Sequence, residues 1–141
     1  MKASSFHKAT DCSPENFERI KKYIAEFELD DRNLKQEEFV TVSIGVELIG
    51  FGRVREHPAF SEACSLGVIK PERLKGIGKH LMQAMIEKAM KELYLVCVIP
   101  SYFKPMGFVI CKNFPPEMQE KLEYCTAHLS VDEEYVVMIR Q

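Results

Sequence analysis

The sequence predicts an α/β fold of the α+β kind, a mixed and mainly antiparallel sheet of six to seven strands flanked by helices. Three observations predict it. Short β-rich runs occupy both halves of the chain; two segments repeat apolar residues at helical spacing; and a turn carrying Gly76 and Gly78 joins a strand to the clearer of those helices.

Taken in order, residues 4–8 form a short candidate strand, and Ser13-Pro14-Glu15 supplies a hydroxyl cap, a first-turn proline and an early acid, the marks of a helix start. Phe17, Ile20, Ile24 and Phe27 follow at spacings of three and four, one apolar stripe on a helix ending near Phe27. The polar stretch 31–38 holds a second short helix, and residues 39–44 and 48–55 are β-rich runs that meet near Gly45 as a hairpin. Residues 62–69 form the next strand, ended by Lys70-Pro71 because proline has no N–H to give to a ladder. After the glycine turn, Ile77, Leu81, Met85, Ala89 and Leu93 share one side of a helix, opposite Lys79, Gln83, Glu87 and Lys91. Strands over 94–99 and 109–111, a helix over 116–127 and a closing strand over 134–140 complete the order.

A chain of 141 residues that is 46% hydrophobic and 28% charged suits one globular domain, 1–141, with a single core. Nothing in it reads as a membrane span or a secretory leader, so a cytoplasmic protein is expected. Five widely spaced cysteines without a Cys-x-x-Cys argue against a disulfide framework and against zinc; Cys125 and His128 have metal-like spacing but no second pair, so no metal is expected. A formal charge of -2 without a basic, aromatic-rich face argues against nucleic acid as a partner.

The stretch 66–79 carries the chemistry. The first N–H groups of a helix have no partner inside it and hold about half a positive charge, so they welcome an anion. Gly76 and Gly78 clear side chains from that backbone, and between Lys70 and His80 four Lys or Arg stand against the single acid Glu72. This is a place for a phosphate. A Walker A loop would need glycine where Arg73 stands and Ser or Thr where His80 stands, and the dinucleotide fingerprint would need glycine at Leu81. What remains is Arg73-x-x-Gly76-x-Gly78.

That hexapeptide resembles the pyrophosphate-binding loop of the GNAT acetyltransferases, which holds acetyl-CoA. Tyr102-Phe-Lys-Pro-Met-Gly-Phe108 is similar to the aromatic element that follows the family's fifth strand. Upstream, 29–34, 38–40 and 49–54 resemble small amino-acid acetyltransferases of the N-acetylglutamate-synthase-like branch. The resemblance implies that the fourth and fifth strands, here 62–69 and 94–99, splay apart to admit the cofactor. It implies backbone contacts to the pantetheine arm from Leu66, Gly67 and Val68, and pyrophosphate contacts from Arg73, Leu74, Lys75, Gly76, Ile77, Gly78 and Lys79. Phe103 would border the cofactor.

The implied chemistry is attack of a primary amine on the acetyl thioester, which calls for a base, a stabilised oxyanion and a protonated leaving thiolate. Glu62, six residues before Val68, matches a catalytic glutamate of the histone acetyltransferase branch; the alternative is an exposed glutamate at a strand start. The general-acid position that many members fill with tyrosine is Phe103 here, which has no proton to give. Tyr102 is the neighbouring candidate, against a packing role. Arg53 and Arg55 alternate with Val54 and share a strand face, where they would clasp a substrate carboxylate or else sit solvated. The expected partner is a small-molecule amine or amino acid, with a homodimer as the common assembly of the family; transfer to a protein or peptide, and a non-catalytic acyl-CoA sensor, are the alternatives.

Overall fold

Ser13 accepts a hydrogen bond from the Asn16 amide at 3.1 Å and so starts the first helix where the sequence places it, α1 Pro14–Glu26. The computed structural model describes residues 9–69, 76–128 and 133–141, so the expected strand over 4–8 lies outside the described residues. The described elements are β1 Thr10–Asp11, α1, β2 Phe39–Ile44, β3 Glu47–Glu56, β4 Ser61–Val68, α2 Ile77–Lys88, β5 Leu93–Cys97, α3 Pro100–Phe103, β6 Val109–Ile110, α4 Pro116–His128 and β7 Val136–Arg140. The sheet order is β1-β2-β3-β4-β5-β7-β6. β4 and β5 pair in parallel, while the β1–β2, β2–β3, β5–β7 and β6–β7 pairs are antiparallel, which makes the expected mixed sheet.

The chain divides into two compact units. The first comprises the described residues of Met1–Arg55 and Ala63–Lys88. Ile20 and Ile24 of α1 meet Phe39, Leu48 and Phe51, the apolar stripe being buried as its spacing predicts. β2 and β3 turn at Gly45, whose φ of +61° favours glycine. On β3, a Cβ on Gly50 would fall 2.8 Å from Leu81 Cδ1, and one on Gly52 would collide with the Met85 sulfur. The two glycines therefore let α2 lie close to the sheet.

Within this unit the short helix expected over 31–38 is reduced to a 3-10 turn at Gln36–Glu38. Asp30 Oδ1 accepts from the Arg32 amide at 3.0 Å, and Asn33 has a φ of +51°, so the backbone is committed to a turn before a helix can begin.

The second unit comprises Glu56–Glu62 and the described residues of Ala89–Gln141. Its core holds Phe60, Tyr94, Met118, Val137 and Ile139. β4 enters it at Ser61↔Leu93 and Glu62↔Tyr94, the paired start of the two parallel strands. The helical stripe read through Ala89 and Leu93 is corrected: α2 ends at Lys88 and Leu93 opens β5. The Met90 amide donates to Glu56 Oε2 at 3.1 Å and the Lys91 amide to Ser61 Oγ at 3.1 Å, so long-range acceptors take the groups that another helical turn would use.

Candidate active site

β4 is the strand on which the cofactor contacts are expected, and it is irregular where they begin. Ser65 has a φ of +53°, rare for a residue with a side chain, and its hydroxyl donates to the Asp30 carbonyl at 3.0 Å. Leu66 and Val68 are half-buried, while Gly67 is buried over Phe51. Past the strand, Arg73, Leu74 and Lys75 lie outside the described residues. Gly76 has a φ of +74° and nothing within 4 Å of where a Cβ would stand. Its carbonyl accepts from the His80 amide at 3.2 Å, so it sits at the opening of α2. Ile77 is buried beneath that opening, whereas Gly78 is half-buried and Lys79 exposed at the first turn.

Glu62 lies in different surroundings from those of an exposed strand-start glutamate. It is 1% exposed. Its Oε1 stands 2.9 Å from His57 Nε2, and its Oε2 stands 3.1 Å from the Lys121 ammonium on α4. Lys121 is itself buried, which is rare for lysine and requires charge compensation. The His57 ring stacks on Phe60 at 4.4 Å, and the His57 amide donates to the Phe60 carbonyl at 2.9 Å, so the turn between β3 and β4 presents the imidazole to Glu62.

The aromatic element forms α3 and the turn after it. Pro100 opens α3, and Tyr102 meets Phe103 edge-on at 5.0 Å. Phe103 is buried and also meets Phe108 at 6.0 Å. Tyr102 is half-buried, and desolvation pushes its phenol up from 10.0, so it keeps its proton near neutral pH.

A model of the acetyltransferase (GNAT) family matches residues 4–108. The chain belongs to the GNAT acetyltransferase family. No curated protein matches it in sequence. Among solved structures it is similar to Neisseria gonorrhoeae N-acetylglutamate synthase complexed with coenzyme A and N-acetyl-glutamate, at a TM-score of 0.74 and 15% identity, covering 96% of this chain and 35% of that one. It is also similar to Rv2747 of Mycobacterium tuberculosis in complex with CoA, at a TM-score of 0.76 and 13% identity over 94% of this chain and 97% of that one. Escherichia coli ElaA gives 0.68 and 15% over 92% of each chain. The chain spans about a third of the length of the Neisseria synthase. At these identities the likeness is one of fold.

The residues of this GNAT protein fit acetyl-CoA at the positions that are described. The space at Gly76 and the exposed start of α2 leave room for a diphosphate against backbone amides. Among the described residues no group of three His, Cys, Asp or Glu is placed to hold a metal, and no described helix is long and apolar enough to cross a membrane. Arg53 and Arg55 have unlike surroundings. Arg53 is 0% exposed; its Nε donates to Glu38 Oε1 at 2.8 Å, Nη1 to the Arg32 carbonyl at 2.9 Å and Nη2 to the Asn33 carbonyl at 2.6 Å. Arg55 Nη2 donates to the Arg32 carbonyl at 2.8 Å and lies 3.9 Å from Asp30 Oδ2. Sequence reasoning missed His57 and Lys121. A histidine five residues before a strand-start glutamate was a signal for the first, whereas the second is brought in by α4 and left no local trace.

Proposed function

We propose that this GNAT protein transfers the acetyl group of acetyl-CoA to the primary amine of a small molecule, an amino acid being the class that fits best. Acetyl-CoA supplies the activated acyl group. The observation that carries the reading is Glu62, a buried carboxylate at the paired start of β4 and β5, held between His57 and Lys121. Burying such charges is costly, and a binding-only module has no use for them there. A base that takes a proton from an ammonium does. In this reading Glu62 frees the amine, backbone groups of Leu66 to Val68 align the pantetheine arm, and 73–79 hold the diphosphate. Tyr102 offers an O–H to the leaving sulfur, and Phe103 supports it by packing. Arg55 is the residue assigned to an acceptor carboxylate, because a bidentate fork suits that group.

The test is release of free CoA thiol from acetyl-CoA in the presence of a panel comprising L-glutamate, L-glutamine, L-lysine, L-arginine, ethylamine and a short peptide. An amino acid or simple amine should turn over. Turnover of the peptide alone would move the reading to a protein acetyltransferase. Tight acetyl-CoA binding by calorimetry without release for any acceptor would replace it with a sensor.

A further inference from the structure

Glu62 is buried, so a proton that it takes has to leave by a second group. Glu62 and the two side chains beside it differ in their access to water. That of Glu62 is 2% exposed, that of Lys121 5% and that of His57 15%. Lys121 stands 3.1 Å from Oε2 but is itself buried, so a proton passed to it would still be out of water. Of these two neighbours, the imidazole both reaches the carboxylate, at 2.9 Å, and touches solvent. It also has two nitrogens, one for each side of a transfer.

From this geometry we propose that His57 is the proton exit of the acetyl-transfer site, acting through Glu62. The inference rests on the acetyltransferase reading above. The acceptor ammonium gives one proton to the Glu62 carboxylate, and the carboxylic acid so formed passes it from Oε1 to His57 Nε2. The imidazolium then releases a proton from Nδ1 to water or buffer, and exchange with water returns the ring to its accepting tautomer. The amine, now neutral, attacks the thioester carbonyl; the C–N bond forms as the C–S bond breaks, and the second proton of the attacking nitrogen goes to the thiolate. One proton per turnover reaches solvent, which balances ammonium plus thioester against amide plus thiol.

Two features of the surroundings favour onward transfer over storage on Glu62. A neutral Glu62 is attracted less strongly to the Lys121 ammonium, in a place where both are out of water, and handing the proton to His57 restores that attraction. The ring is also held for the task, being stacked on Phe60 at 4.4 Å with its own amide bonded to the Phe60 carbonyl. A histidine that merely fills space needs no such register with a buried acid.

The experiment is His57→Gln, assayed with the best amine of the panel in dilute and in concentrated imidazole buffer. The variant keeps a side-chain N–H for Glu62 but has no group that accepts and releases a proton. Its kcat should fall about a hundredfold or more in dilute buffer, a proton-transfer group contributing about 10² to 10⁴. Added imidazole should restore much of the loss in a concentration-dependent way, with acetyl-CoA affinity and the KM for the amine little changed. A loss that buffer does not relieve, or no loss at all, overturns the relay while leaving the acetyltransferase reading intact. No turnover by the wild-type protein overturns that reading itself. Should His57→Gln not fold, His57→Ala decides, since it opens space beside Glu62 for a free imidazole: recovery of turnover that rises with imidazole concentration is expected, and a loss that imidazole leaves in place overturns the proposal.

Discussion

Gly67 lies against the ring of Phe51, so that a Cβ on the glycine would fall 2.8 Å from Phe51 Cε2 and closer still to Cζ. Phe51 is fully buried and stands in the cluster with Ile20, Ile24, Phe39 and Leu48, which leaves the ring little room to retreat. Gly67→Ala should therefore destabilise the protein by about 1–3 kcal/mol, the cost of overpacking a filled core. Urea unfolding measures this, and calorimetry with CoA separates it from the cofactor role proposed for the same residue. Unchanged stability with weakened CoA binding would show that the glycine clears space for ligand rather than for Phe51.

Arg53 joins β3 to the loop before β2 through Glu38 and two carbonyls, all without exposure of its own. Removing the guanidinium leaves Glu38 and those carbonyls to find other partners. Arg53→Met should cost about 3–5 kcal/mol, as breaking a buried pair does. Arg53→Lys should recover little, because a single ammonium does not span the three acceptors that the planar fork reaches. Arg55→Lys should instead leave folding nearly unchanged and raise the KM for a carboxylate-bearing amine. Equal and small stability losses for Arg53→Met and Arg55→Lys would contradict this division of labour.

Glu56 ties Met90 and Lys91 to the turn before β4, and its pH response follows from its partners. Burial raises its carboxyl pKa, but hydrogen bonds from Lys91, Ser61 and the Met90 amide, with the Lys91 charge, outweigh that and hold it below 4.5. A depressed folded-state value means stabilisation that is present above 4.5 and lost as pH falls through the lower folded value. The side chain is 34% exposed, so the contribution is that of a screened surface pair, below about 1 kcal/mol. Thermal unfolding of wild type and Glu56→Gln should differ at pH 7 and converge below the carboxylate range. A gap that widens in acid would reverse the sign of the argument.

Much of the fold was written locally. The cap at Ser13, the stripe through Ile20 and Ile24, and the β-rich runs that became β2 and β3 each depend on neighbours a few residues away, and each element stands where its pattern puts it. The misread boundaries had distant causes. Leu93 continues the helical period of α2, yet Glu56 and Ser61 take the amides of Met90 and Lys91 and stop the helix first. The room that Gly50 and Gly52 leave for α2 is likewise set by a distant element, the side chains of Leu81 and Met85. The glycine turn stands out in the sequence because the anion contacts proposed for it come from consecutive backbone groups. Lys121 does not, because its position beside Glu62 is created only by the packing of α4.

The remaining prediction concerns the leaving thiolate. Tyr102 is half-buried with a phenol pushed up by desolvation, so it is protonated through the neutral range and has a proton to give. Tyr102→Phe removes one oxygen and little volume, and its ring contact with Phe103 survives. If the phenol protonates sulfur, kcat should fall tenfold or more, about 1.4 kcal/mol in the barrier, with acetyl-CoA affinity unchanged. The wild-type rate should also decline on the alkaline side as the phenol ionises, and the variant should lack that limb. Phe103 is packed between Tyr102 and Phe108, so a hydroxyl added to it has to reach the edge of that cluster to act. Phe103→Tyr should therefore leave turnover near wild type. A neutral Tyr102→Phe together with a faster Phe103→Tyr would place the acid position at 103 and leave the natural enzyme to expel its thiolate without a side-chain acid.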